Sequence, residues 1–160
     1  MKKVFLTFLV LLIVLGATYL SQGYLNGGIK LFLFKKTPIV KINNQSFNAT
    51  VAASEKEREI GLSETKSLQP NQGMIFLFDR PDYYSFWMKN MKFPIDIIYI
   101  NNDTIVTIIS NAPFPKNNSE SLTVYASISP ANKVLEIQGG LSEKYKFKNG
   151  DKVTYENLSN

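Results

Sequence analysis

The sequence predicts a mainly β domain, a β-sandwich or barrel with one or two short helices. Three observations carry this. From Ile39 onward the apolar residues fall in short extended segments rather than in long helical stripes. Turn-forming clusters separate them, among them Asn43-Asn44, Gln69-Pro70-Asn71, Arg80-Pro81-Asp82, Asn101-Asn102-Asp103 and Asn149-Gly150. A strongly apolar segment, IDIIYI at 95–100, is dense in β-branched residues. It follows Pro94, which fixes its own φ and pushes Phe93 toward extended geometry.

The chain begins differently. Met1-Lys2-Lys3 precedes 17 mostly apolar residues, 4–20, a pattern expected of a signal peptide or membrane anchor over 1–23. That length is short for a spanning helix and long for a signal core. Ser21-Gln22-Gly23 offers a cleavage site before Tyr24. Lys2 and Lys3 favour a cytoplasmic start, which places the rest outside, either anchored through residues 4–20 or secreted after cleavage. Residues 24–38 read as a linker, with IKLFLF at 29–34 a membrane-surface patch or a first strand.

The net charge of +5 belongs to this N-terminal part. Lys2, Lys3, Lys30, Lys35 and Lys36 are five of the 18 basic residues, and no acid precedes Glu55, so the remainder balances at 13 against 13. A neutral domain gives no electrostatic footprint for nucleic acid. Histidine and cysteine are both absent. Their absence removes thiol nucleophiles, disulfides, Ser-His-Asp chemistry and His- or Cys-based metal sites, and no cofactor is expected.

In residues 39–160, strands are expected near 39–42, 46–52, 74–78, 84–89, 95–101, 104–110, 122–128, 133–138 and 151–156. The fifth and sixth should pair as a hairpin across a tight polar turn. Ser54-Glu55-Lys56-Glu57 fits a capping box, and the helix it opens should stop at Gly61. Ser142 to Lys146 fits a second short helical turn. Both faces of the fifth strand are apolar, which predicts a central strand buried on both sides, with Asp96 on one of those faces.

Candidate chemistry lies in a few polar residues. A buried carboxylate such as Asp96 needs a partner or a shifted pKa. Glu136, in KVLEIQ, is expected to point inward and to meet Arg58 or Lys89, more often as a structural ion pair than as a functional one. Trp87, Lys89 and Asn90 lie within four residues of sequence. They form a sugar- or peptide-binding surface, or else Trp87 is core and Asn90 a turn former. Asp79 and Asp82 flank Arg80-Pro81 and read as a solvated turn.

Gly73-Met74-Ile75-Phe76, Phe86-Trp87-Met88-Lys89-Asn90 and Pro94-Ile95-Asp96-Ile97 together resemble the signature of the domain of unknown function family 192 (DUF 192). Glu57-Arg58, Gly61-Leu62, Val134-Leu135-Glu136, Gly139-Gly140 and Gly150-Asp151 follow the same order. The resemblance covers about residues 46–155. It implies an exported protein with a compact, jelly-roll-like β-sandwich, and implies no activity. Met91 stands where the family usually has Thr, and Ser63 where it has Met.

The leading expectation is an envelope-located domain that binds a small ligand, glycan or partner protein without catalysis, through Arg58, Trp87, Lys89, Asn90, Asp96 and Glu136. The alternative is a carboxylate-dependent hydrolase or lyase using Asp96 and Glu136. A third reading has these polar residues satisfying one another inside the fold.

Overall fold

The computed structural model describes residues 13–18, 36–116 and 123–158. The chain divides into two units, Met1–Lys35 and Lys36–Asn160. Within the first, residues 13–18 form a helical stretch, α1. The other residues of the expected signal or anchor, and of the linker patch at 29–34, lie outside the described residues. Among the described residues no helix is long and apolar enough to cross a membrane.

The second unit is mainly β. Its strands are β1 (Ile39–Ile42), β2 (Gln45–Ala52), β3 (Gln72–Asp82), β4 (Ser85–Trp87), β5 (Ile95–Asn101), β6 (Thr104–Ala112), β7 (Val124–Ala126), β8 (Ala131–Gln138) and β9 (Val153–Glu156). Two short helices accompany them, α2 (Glu55–Ile60) and α3 (Leu141–Lys144). Seven strands form one sheet in the order β6-β5-β8-β3-β2-β1-β9, and β4 pairs with β7 in a separate ribbon. The sandwich expectation is corrected here. The layers are one curled sheet and a two-stranded ribbon, not two facing sheets.

The curl brings the outer strands together. Thr104 at the start of β6 bridges Lys152. Ile105 N–H donates to Asp151 O, Gly150 N–H to Ile105 O and Val153 N–H to Asp103 O, at 2.8–3.0 Å. These bonds satisfy backbone groups that an open edge would expose.

The fold follows from side-chain alternation along each strand. Val40, Phe47, Ile75, Ile98, Ile105, Leu135 and Val153 are among the residues of one core, to which all seven strands contribute, so it fills the inside of the curl. Leu141 and Phe147 join that core from α3 and the turn after it. Side chains of the opposite parity, including Phe76, Ile95, Ile97, Tyr99 and Val134, form a second core with Leu62, Met88 and Met91. Phe86 of β4 and Tyr125 of β7 pack against it. β5 is therefore buried on both faces, as its composition predicts.

Candidate functional site

Asp96 and Glu136 sit on neighbouring strands but on opposite faces. In the β5–β8 register Asp96 stands across from Ile137, and Glu136 across from Ile97. Asp96 thus belongs with the inner core and Glu136 with the outer one. The alternative that needs both carboxylates in one cleft loses its pair.

Asp96 is fully buried and accepts three backbone N–H bonds. Asn111 N and Gly140 N donate to Oδ1 at 2.6 and 2.8 Å, and Ser142 N donates to Oδ2 at 2.6 Å. Two of these donors come from the opening of α3, where N–H groups lack helical partners. The third comes from Asn111, in the left-handed region near the end of β6 (φ 52°). Asp96 is a latch joining β5, β6 and α3. It is not part of the pocket described next.

Glu136 is 5% exposed, and it lines a pocket of about 310 Å³ on the outer face of the sheet. Its cross-strand neighbours are Met74 of β3 and Ile97 of β5, both apolar. The expected ion pair with Arg58 or Lys89 does not form. Among the described residues Glu136 has neither an ion-pair nor a hydrogen-bond partner. Burial alone pushes its carboxyl up to about 8, so it holds a proton at neutral pH.

The pocket walls are aromatic. Phe76, Phe78, Tyr84, Phe86 and Trp87 line it. Phe86 stands edge-on to Phe76 and to Tyr99, with centroids 4.9 and 5.9 Å apart, and Phe78 stacks on Tyr84 at 3.6 Å. Such contacts hold the walls in fixed orientations. The Tyr99 hydroxyl donates to Tyr125 O at 2.8 Å, tying the ribbon to β5.

Two cations also line the pocket. α2 carries Arg58, whose Nη1 donates to Ala53 O and, at 3.0 Å, to Leu77 O. Its guanidinium lies 5.1 Å from the Phe78 ring centre. Lys89 Nζ lies 5.5 Å from the Trp87 ring centre. The structure thus brings Arg58, Trp87, Lys89 and Glu136 to one pocket. Trp87 is 55% exposed and is a wall rather than core. Asn90 is exposed with φ 60°; it is the turn former and does not line the pocket. Sequence reasoning missed Phe78, Tyr84 and Phe86. The aromatic density of 76–87 was the available signal.

The family model DUF192, described as an uncharacterised ACR, matches residues 38–155. The chain belongs to the DUF192 family. A crystal structure of a protein of unknown function from Novosphingobium aromaticivorans is similar to this DUF192 chain at 33% identity and TM-score 0.66, covering 73% of this chain and 83% of that one. A putative transcription regulator from Sinorhizobium meliloti is similar at 27% identity and TM-score 0.67, covering 76% and 95%. No curated protein matches. The DUF192 residues fall at three stations. Arg58, Gly61-Leu62, Trp87, Lys89 and Glu136 line the pocket, Asp96 and Gly140 form the latch, and Gly150-Asp151 joins β6 to the turn before β9. Met91 and Ser63, which the sequence reading set apart from the motif it resembles, both line the pocket.

Proposed function

We propose that this domain binds a small molecule in the Glu136 pocket, and that it does so outside the cytoplasm, tethered through residues 4–20 or released by cleavage after Gly23. One observation carries the binding reading. A buried carboxyl without a partner lines an aromatic-walled pocket of about 310 Å³. The carboxyl opens to the pocket rather than being sealed in the core, so a complementary ligand can pair with it there. The volume lies at the lower end of the range for small-molecule sites and is too small for an extended glycan.

Trp87 is the chain's single tryptophan and forms a wall of the pocket, so its fluorescence reports occupancy directly. A panel of small amines, acids, sugars and short peptides titrated into the full-length protein should contain members that shift the emission saturably. A panel that leaves both the emission and the Lys89 amide resonance unmoved overturns the reading. N-terminal sequencing of the cell-envelope fraction tests location. A start at Tyr24 means release, a start at residue 1 in the membrane fraction means anchoring, and recovery only from the cytoplasm refutes export.

A further inference from the structure

We infer that the group taken up beside Glu136 is an organic cation, an ammonium or guanidinium, set against that carboxyl and enclosed by the aromatic rings. The inference rests on the pocket reading above and adds the chemical class of the ligand.

Three features of the pocket point the same way. First, the carboxyl of Glu136 lacks a counter-charge. Both internal cations that line the pocket are engaged elsewhere, Arg58 with two carbonyl oxygens and the Phe78 ring, and Lys89 with the Trp87 ring. Neither makes an ion pair with Glu136. Second, aromatic faces attract cations through the ring quadrupole, and more strongly when water is excluded. The pocket already shows this preference, since each of its two basic side chains lies over an aromatic ring. Third, the cross-strand neighbours of Glu136, Met74 and Ile97, are apolar and supply no counter-ion, so a bound cation is what would stabilise its carboxylate. An ammonium there gains both the acid and the rings.

Binding then moves a proton. The empty pocket holds Glu136 protonated at pH 7, because its carboxyl is pushed up to about 8. A bound cation favours the carboxylate, so the proton leaves to solvent and affinity rises between pH 6 and pH 8. An anionic ligand would reverse both signs. The other titratable and charged groups around the site are Glu55, Arg58 and Glu59 of α2, Tyr84 and Lys89 beside β4, and Tyr99 of β5. Burial raises Tyr99 well above its ordinary value, so it stays protonated through this window.

Benzylamine, benzyl alcohol and benzoate share a ring and differ in charge. Each is titrated into the full-length protein at pH 7, followed by Trp87 emission and by calorimetry in two buffers of different protonation enthalpy. Benzylamine should bind about tenfold or more tighter than the other two, a difference of about 1.4 kcal/mol, and should release most of one proton. Glu136→Gln preserves the shape and should lose both the preference and the proton release; its melting curve checks that it folds. Benzyl alcohol or benzoate binding as well as benzylamine overturns the cation assignment and leaves the pocket reading standing. Unchanged benzylamine affinity in Glu136→Gln also overturns it. Silence from all three probes overturns it as well, and the wider panel then decides the pocket reading separately.

Discussion

Asp96 and Glu136 are two buried acids on adjacent strands with opposite fates. Asp96 has three N–H donors, and Glu136 has apolar neighbours and no partner. Asp96→Asn replaces one acceptor oxygen by an amide that faces a donor, so it should cost about 3 kcal/mol in urea unfolding without altering ligand affinity. Glu136→Gln should do the reverse. The folded protein keeps the Glu136 proton to about pH 8, whereas the unfolded chain releases it near the ordinary 4.5. Between those values the folded state holds the extra proton, so stability falls as pH rises from about 4.5 to about 8 and is level above. At about 1.4 kcal/mol per unit, the loss by pH 7 is about 3–4 kcal/mol. Glu136→Gln should remove that slope and be the more stable protein at pH 7, read from unfolding curves at pH 5 and pH 8. The sequence marked both acids as buried. It was silent on which would find donors, because the donors come from residues 111, 140 and 142, remote in the chain.

Among the elements, α2 was the most legible. Ser54 accepts from Glu57 N–H while the Glu57 carboxylate accepts from Ser54 and Ala53 N–H, the reciprocal pattern that S-E-K-E encodes. Gly61 ends the helix at φ 50°. Since α2 carries Arg58 into the pocket, Ser54→Ala should lower stability by about 1 kcal/mol and weaken ligand binding with it, measured by thermal melts and Trp87 titration. The β3–β8 pairing makes a different demand. A Cβ on Gly73 would lie 2.8 Å from Glu136 O, so β8 can approach β3 only where a side chain is missing. Gly73→Ala should cost about 1–3 kcal/mol and displace the strand that holds Glu136, visible as a lower melting temperature and altered Trp87 emission. In the sequence Gly73 directly precedes the strand expected at 74–78. The close approach itself comes from a partner 63 positions away, between Gly73 and Glu136, which local pattern does not encode.

Over the whole molecule, local pairings were readable and distant ones were not. The β5–β6 hairpin follows from its turn residues. The parallel β2–β3 pair and the antiparallel β1–β9 pair join segments far apart in sequence, and no local pattern specifies them. For that reason the strand pattern left sandwich and barrel open, where the chain makes one curled seven-stranded sheet with a separate two-stranded ribbon. The closure between β6 and β9 should appear in hydrogen exchange as strong protection of the Ile105 and Val153 amides; exchange at loop rates would mean that the curl opens in solution. The strand order also sets a schedule for biosynthesis. β9 completes the sheet by pairing with β1 and meeting β6, yet of the described strands it comes last in the chain. Until it leaves the ribosome, two unpaired rims stay open to other chains and to proteases. Folding waits for those distant pairings, which makes it slow. A chain truncated before residue 153 lacks the strand that pairs with β1 and meets β6, and so becomes a substrate for quality control.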